Sequence, residues 1–367
     1  MNLDEYAERL INLLPQNEIF VDKDIPRDYQ NGLLYITELE RLRSLTCSKA
    51  LRRSLPCILD ITKTWTHSLP DTSRRVLYQQ YRPLLFSIDK LSTASPQDTT
   101  LTLEHVIRAK RDTTSQVYKG SLRIGSGKSR EVCIKIYQQS MCSLPDIDSF
   151  DEDERYNPEL RTARHDAGVE AWAYCKLAPL QGSIIPCSYG FYEARLPNGE
   201  TAVVHILEYL NGVTLSSFKR RDDLERHLSC RVIDMVEKLL ENIALMHELG
   251  VTHQDLNPNN IMLLTQPRGL EPLSSLAIID FNRAAPVHAI FDNERGDSLC
   301  MLDLFRRYRV PIRLVEAWYT KHASSHPRPR WLSLFDSKTA GEGAHFRYWH
   351  IIMCGRERRQ QYTSIEY

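Results

Sequence analysis

Residues 251–264 read V-T-H-Q-D-L-N-P-N-N-I-M-L-L and place His253, Asp255 and Asn260 in the spacing H-x-D-x-x-x-x-N. An apolar run follows, so the pattern predicts a short loop that doubles back before a strand. Such a loop can present the Asp255 carboxylate to an attacking hydroxyl while the Asn260 amide oxygen binds a metal ion in the same cleft. The alternative is a purely structural role, because Asp, Asn and Pro are common turn residues.

A second motif lies further along the chain. Residues 276–279, L-A-I-I, predict a short buried strand, and D-F-N follows at residues 280–282. The two motifs, in this order and about this far apart, resemble the catalytic loop H-R-D-L-x-x-x-N and the metal-binding D-F-G of the protein-kinase superfamily. The resemblance implies that Asp255 is the catalytic base and that Asn260 and Asp280 bind Mg2+.

A lysine and a glutamate of the same family have counterparts upstream. Residues 131–137, E-V-C-I-K-I-Y, alternate with period two and predict a strand. Lys135 projects away from its most apolar face, as the phosphate-binding lysine of V-A-I-K does, although an exposed strand lysine is the alternative. Glu170, in a helix predicted over residues 158–177, resembles the glutamate that pairs with this lysine. Glu159 is the rival candidate, since a carboxylate at a helix start interacts with the helix dipole.

The phosphate-binding loop departs from the ordinary kinase pattern. The positions of G-x-G-x-x-G correspond to Lys110, Asp112 and Ser115, and none is glycine. Small polar residues could still donate hydrogen bonds to phosphates, and the alternative is a hairpin turn that binds no nucleotide. A glycine-poor loop resembles the RIO-type atypical kinases more than the ordinary ones. Residues 125–129, G-S-G-K-S, look like the end of a P-loop but precede a strand and not a helix, so we predict a hairpin turn at residues 125–128.

Two strands predicted at residues 184–192 and 202–207 are joined by P-N-G and lead into E-Y-L-N-G. This stretch resembles the kinase hinge, whose backbone groups bind adenine, with Leu207 at the gatekeeper position. The candidate nucleotide-binding residues are therefore Thr113, Thr114, Ser115, Val117, Lys135, Glu208 and Leu210.

Composition narrows the class of protein. The 367 residues allow a sizeable core and about two domains, and 47 basic residues balance 47 acidic ones. Nothing global points to nucleic acid or to an anionic membrane, and no apolar run reaches the roughly 20 residues of a spanning helix. The nine cysteines contain no C-x-x-C pair, and the N-terminus lacks signal-peptide features. We expect an intracellular protein, cytoplasmic or nuclear.

The predicted fold class is α+β, a two-lobed protein-kinase-like fold. Residues 1–100 are expected to be a helical extension, with helices near residues 3–14 and 34–55 that pack on the body. The kinase-like domain is predicted at residues 101–367, with an N-lobe at 101–209 and a C-lobe at 210–367. The C-lobe is short, because little chain follows D-F-N and no A-P-E occurs there. Asp297 or Asp303 is expected to anchor a following helix.

The resemblance implies ATP- and Mg2+-dependent phosphoryl transfer to a hydroxyl. D-L-x-P-x-N at residues 255–260 is similar to the form found in Ser/Thr protein kinases, although Asn257 replaces their usual lysine. A small-molecule kinase of the aminoglycoside or choline type is one alternative, and a catalytically impaired scaffold is another. Asn282, in place of glycine, is expected to adopt a left-handed backbone, which Asn tolerates. The oligomeric state stays open.

Overall fold

The computed structural model describes residues 29–46, 55–66, 68–76, 80–93, 95–144, 162–228, 230–265 and 276–287, and further on 297, 304–305, 307–311 and 314. The chain forms two compact units, Met1–Tyr308 and Arg309–Tyr367, and nearly all described residues belong to the first. The helix predicted near residues 3–14 lies outside the described residues. Within the described ranges, no helix is long and apolar enough to cross a bilayer.

A closed antiparallel barrel of six strands is the main β-structure. Its strands are β1 (Cys57–Thr66), β2 (Thr99–Arg108), β3 (Gln116–Ile124), β4 (Arg130–Tyr137), β5 (Ser188–Arg195) and β6 (Thr201–Glu208), in the order β1-β2-β3-β4-β6-β5. Antiparallel pairing of β1 with β5 closes it. Because side chains alternate along a strand, every second residue points inward, and branched apolar side chains fill the interior. The mixed α and β content agrees with the predicted fold class.

Residues 1–100 are expected from the sequence to be helical, and this expectation is wrong for residues 57–66, which form strand β1. Its sequence, C-I-L-D-I-T-K-T-W-T, is rich in β-branched residues, which favour strands. Leu59 and Ile61 point into the barrel, whereas Ile58 is 73% exposed. The predicted boundary near residue 100 stays a prediction, although β1 belongs to the same barrel as the strands that follow.

One predicted helix of the extension is present and packs on the barrel. Helix α1 (Tyr29–Thr46) ends before residue 55, where we expected its end. Arg43 donates hydrogen bonds to the carbonyls of Ser140 (2.7 Å) and Cys142. Leu39 is buried, but Leu34 is 68% exposed, so only one face of the helix is covered. The predicted packing is confirmed for this helix.

The other elements place the two sequence motifs. The helices are α2 (Ile88–Thr93), α3 (Ala163–Lys176), α4 (Arg221–Leu228) and α5 (Val232–Glu248), and the short strands are β7 (Gly212–Thr214), β8 (Val251–Thr252), β9 (Ile261–Leu264), β10 (Leu276–Ile278) and β11 (Ala285–Pro286). Apolar residues at helical spacing bury one face of α5, and Gly250 (φ 83°) follows its end, as predicted. The sheets β10-β9-β7 and β11-β8 then position the segments around residues 253–260 and 280–282.

The hairpin turn predicted at residues 125–128 is confirmed. The turn joins β3 to β4, Gly125 has φ 56°, and the N–H of Gly127 donates to the Ile124 carbonyl at 3.1 Å. A strand and not a helix follows, so this segment is not a P-loop.

Candidate active site

Lys135 lies on β4 between two carboxylates. Its ammonium is 2.8 Å from each carboxylate oxygen of Glu170 on α3 and 2.8 Å from Oδ1 of Asp280. Because side chains alternate along a strand, the apolar residues of β4 fill the barrel while Lys135 projects from the other face. The predicted ion pair between Lys135 and Glu170 is therefore present. Glu159, the rival partner, lies outside the described residues.

The charges of this buried cluster depend on one another. Burial alone would raise the pKa of Glu170, but the Lys135 ammonium and neighbouring hydrogen bonds outweigh it, and the pKa lies well below its ordinary value. Burial would lower the pKa of Lys135, whereas the carboxylates of Asp280 and Glu170 raise it. Both members of the pair are ionised at neutral pH, and loss of either would leave an uncompensated buried charge.

Three more groups surround the Glu170 carboxylate. The Tyr137 hydroxyl donates a hydrogen bond to Oε2, and Nδ1 of His205 on β6 lies 3.4 Å from the same oxygen. The backbone N–H of Phe281 donates to Oε1 at 3.3 Å. Burial lowers the pKa of His205 despite the nearby carboxylate, so its ring is neutral at neutral pH. Glu170 thus connects α3 with β4, β6 and the D-F-N segment.

A column of aromatic rings runs through the same region. Adjacent ring centroids are 3.7–6.0 Å apart along the series His253, Phe281, Tyr174, His205, Phe191 and Trp65. Each aromatic contact typically contributes about 0.5–1.5 kcal/mol beyond its buried area. The column begins in the 253–260 loop and ends on β1, so the unexpected strand packs into the stack that supports the site.

The residues of the first motif form one hydrogen-bonded loop. The Asp255 N–H donates to Nδ1 of His253 (3.3 Å), and Nδ2 of Asn260 donates to the Asp255 carbonyl (2.9 Å). Pairing of β9 with β10 continues past the strands, because the Ile279 N–H donates to the Asn260 carbonyl at 3.0 Å. Asp280 is the next residue, so the two predicted metal ligands lie at the same end of this strand pair.

Asp297, which lies C-terminal to the 253–260 loop in the sequence, anchors that loop. Its buried carboxylate accepts hydrogen bonds of 2.9–3.1 Å from the His247 ring, the Thr252 hydroxyl and the backbone N–H groups of His253 and Gln254. Burial would raise the pKa of Asp297, but the hydrogen bond from His247 and the charges nearby lower it. These bonds hold Gln254 in a left-handed backbone with φ 63°. Asp303 lies outside the described residues.

The loop between β2 and β3 is held by its own side chains. The Thr113 hydroxyl donates to the Lys110 carbonyl at 3.0 Å, and the buried Ser115 hydroxyl accepts from Arg108 at 3.2 Å. Asp112, at one of the glycine positions of ordinary kinases, has φ 57°. Aspartate tolerates this left-handed region better than most residues, so the loop bends without glycine.

The left-handed backbone expected at Asn282 is not there. Asp280 has φ 71° instead, so the unfavourable conformation falls on a predicted metal ligand. The reason is local: Ile279 is still bonded as part of the strand pair, and the chain turns at the next residue. Nδ2 of Asn282 donates to Oγ1 of Thr114 at 2.7 Å and ties the D-F-N segment to the phosphate-loop candidate.

An arginine from the N-terminal region holds the hinge candidate. Arg82 donates to both carboxylate oxygens of Glu208, at 2.6 and 3.0 Å, and to the carbonyls of Ser183 (2.6 Å) and Ile185 (2.9 Å). The backbone N–H of Glu208 donates to the Cys187 carbonyl at 2.8 Å. An adenine contact at Glu208 is therefore left to its backbone carbonyl.

The remaining predicted nucleotide contacts lie on β3 and just after the end of β6, next to the gatekeeper position Leu207. Val117 pairs with Lys135 in the β3–β4 register, and Leu207 pairs with Cys133 across β4 and β6. Leu210 is buried two residues after β6 ends. These positions form consecutive parts of one surface, with the hinge at one end and Lys135 further along β4.

The chemistry of the donor set suits Mg2+. Asp280 supplies a carboxylate, and Asn260 turns its amide nitrogen to Asp255, which leaves the amide oxygen for a cation. No group of three His, Cys, Asp or Glu side chains that could hold a metal occurs among the described residues. Mg2+ commonly uses one or two protein oxygens and takes the rest from phosphates and water, so two protein ligands fit this ion.

Four side chains of the site belong to no sequence motif, and they were not identified as site residues from the sequence. They are Arg82, Arg108, Tyr137 and His205. Arg82 is 126 residues from Glu208, and no local pattern connects them. Tyr137 offered one signal, because residues two apart on a strand share a face and Lys135 was already assigned to it.

The two motifs, the buried Lys135–Glu170 pair and the hinge-like segment resemble those of protein-kinase-like phosphotransferases. Residues 220–304 match the lipopolysaccharide kinase (Kdo/WaaP) family. The serine/threonine-protein kinase PknA of Mycobacterium tuberculosis is 27% identical over 160 residues, 43% of this chain and 31% of that kinase. The probable serine/threonine-protein kinase fnkB of Dictyostelium discoideum is 37% identical over 82 residues, 22% of this chain and 14% of that kinase.

These matches confirm the resemblance to the protein-kinase-like superfamily and support a phosphotransferase of the kinase type. The serine/threonine-protein kinase PknG of Mycobacterium leprae is 24% identical over 92 residues, 25% of this chain and 12% of that kinase. The chain therefore covers less than a third of the length of these curated relatives.

Proposed function

We propose that the chain transfers the γ-phosphate of ATP to a hydroxyl group. Asp255 orients the acceptor hydroxyl and takes its proton, while Lys135, positioned by Glu170, binds the phosphates. Asn260 and Asp280 hold Mg2+. Phosphoryl transfer depends mainly on positioning and electrostatic stabilisation, which these five groups supply together. The observation that carries the proposal is the 2.8 Å contact of Lys135 with both Glu170 and Asp280.

A two-lobed arrangement accompanies this function. We assign residues 101–209 to an N-lobe, residues 210–367 to a short C-lobe and residues 1–100 to an extension that donates β1 to the barrel. ATP would lie along the surface formed by Val117, Lys135 and the hinge. Thr114 and Ser115 would contact the phosphates through their hydroxyls, which accept hydrogen bonds within the protein but keep their own protons to donate. Thr113 is the weaker of the three predicted contacts, because its hydroxyl donates to the Lys110 carbonyl and its N–H donates to the Met141 carbonyl.

A serine or threonine hydroxyl of a protein is the first candidate acceptor. The D-L-x-P-x-N form of the catalytic loop supports it, and so do the names of the relatives, all of which are serine/threonine-protein kinases.

A non-peptide hydroxyl, such as that of a sugar, is the second candidate. The match of residues 220–304 to the lipopolysaccharide kinase family favours it. Asn257 favours it too, because its amide donates to the Asp255 carbonyl at 2.9 Å where Ser/Thr kinases usually carry a lysine.

Labelled ATP separates these candidates. The protein is incubated with γ-labelled ATP, Mg2+ and, in separate reactions, a mixed protein substrate and a deacylated lipopolysaccharide core, with Asp255→Asn as the control. Phosphoserine or phosphothreonine that depends on Asp255 supports the first candidate, and label in the saccharide supports the second. ATP binding without transfer to any acceptor or to water would contradict both and favour a binding protein with a kinase-like shape.

A further inference from the structure

Arg108 ends β2 where the glycine-rich loop of an ordinary kinase would begin. Its Nη2 donates to the Ser115 hydroxyl at 3.2 Å and lies 3.7 Å from Oδ2 of Asp280. The side chain is 39% exposed, so it lies at the edge of the site. One guanidinium therefore touches both the candidate phosphate loop and a candidate metal ligand.

The contact between Arg108 and Asp280 is easily exchanged. At 3.7 Å it is longer than a hydrogen bond, whereas Lys135 holds the other oxygen of Asp280 at 2.8 Å. When Asp280 binds a cation, the negative charge of its carboxylate is neutralised, and Arg108 no longer has an anionic partner there. A guanidinium presents planar N–H donors that match the oxygens of a phosphate, so a phosphate is a suitable replacement partner.

The loop itself offers a phosphate fewer donors than its residue types suggest. The Thr113 hydroxyl is occupied, because it donates to the Lys110 carbonyl, and Oγ1 of Thr114 is held in place by the hydrogen bond that it accepts from Asn282. The Thr113 N–H donates to the Met141 carbonyl at 3.3 Å, which removes one backbone donor as well. A glycine-rich loop uses free backbone N–H groups, and here part of that capacity is occupied.

We propose that Arg108 is a phosphate-binding residue that substitutes for the missing glycine-rich loop. The assignment rests on the proposed function, because it takes ATP to be the ligand of this surface. Arg108 leaves Asp280 as the nucleotide and its cation bind, and its guanidinium then contacts an oxygen of the β- or γ-phosphate. Discrimination among adenosine, ADP and ATP depends on this side chain.

Calorimetric titration with adenosine, ADP and ATP in excess Mg2+ tests the assignment without measuring turnover. We expect Arg108→Ala to weaken ATP binding about tenfold, as loss of one charge-assisted hydrogen bond does, and to leave adenosine binding unchanged. Arg108→Gln keeps the length of the side chain and removes its charge, so it should show the same selective loss. Arg123→Ala removes an exposed arginine of β3 and should bind all three ligands like the parent.

Three outcomes overturn the assignment. ATP binding by both Arg108 variants within twofold of the parent, or tighter than the parent, would show that the guanidinium does not hold a phosphate. An equal loss of adenosine and ATP binding would show a structural role. A parent that binds no ATP would overturn the proposed function together with this assignment, whereas the first two outcomes leave the proposed function intact.

Discussion

Replacement of Arg82 by alanine should destabilise the protein strongly, because the hinge candidate depends on this one side chain. The guanidinium makes four hydrogen bonds, two of them to Glu208, and the two side chains are only 22% and 9% exposed. Without Arg82, the Glu208 carboxylate retains the N–H of Cys187 at 2.9 Å as a hydrogen-bond donor. A buried charge left without its partner costs about 3–5 kcal/mol, and we expect Arg82→Ala to lower the free energy of unfolding by an amount in that range.

Urea denaturation measures the loss, with the slope of the free energy of unfolding against urea checked for constancy. The double variant Arg82→Ala/Glu208→Gln should be more stable than Arg82→Ala, because a neutral amide replaces the stranded charge. Lys238→Ala is the matched control, since its 3.0 Å ion pair with Glu241 is more exposed and should contribute less than about 1 kcal/mol. A loss below 1 kcal/mol for Arg82→Ala, with no recovery in the double variant, would refute the reasoning.

Three further perturbations test other parts of the site. Asp255→Asn should lower ATP turnover roughly 10²–10⁴-fold while ATP binding, measured by calorimetry, stays the same, because only the positioned base is lost; equal turnover would mean that Asp255 is not the base. The pKa of Glu170 is lower in the folded protein than its ordinary value of 4.5, so the ion pair contributes stability above pH 4.5 that is lost as the pH falls below it. Melting temperatures between pH 3 and 6 should therefore decline less steeply for Glu170→Gln than for the parent, and parallel curves would contradict the shift. Arg43→Ala removes bonds from α1 to residues 140 and 142 and a 3.3 Å contact with Asp112, so hydrogen exchange should speed up in the 109–115 loop; unchanged exchange there would show that α1 does not hold the loop.

Local patterns predicted the parts of the site that local forces determine. The period-two alternation placed Lys135 on the outer face of β4, and the sequence around Glu170 resembled that of the glutamate that pairs with this lysine. The turn at residues 125–128 was predicted from the strand pattern that follows it. In each case the information lies within about ten residues of the position concerned, and the structure agrees.

Long-range contacts account for what the sequence did not reveal. Residues 57–66 become a strand because they pair with β2 and β5, and β5 lies about 130 residues away. The Arg82–Glu208 pair depends on the same kind of contact. At Asn282 the residue type allowed a left-handed backbone, but the hydrogen bond between Ile279 and Asn260 moved the turn to Asp280.

Magnesium-dependent ATP binding by the parent and by Asp280→Ala tests the central claim most directly. We predict that calorimetry detects tighter ATP binding by the parent with Mg2+ than with a chelator, and that Asp280→Ala loses this difference, since Mg2+ needs the hard carboxylate oxygen. Asp223→Ala, an exposed carboxylate change on α4, should behave like the parent. ATP binding that is alike for the parent and Asp280→Ala and independent of Mg2+ would contradict a kinase-type metal site.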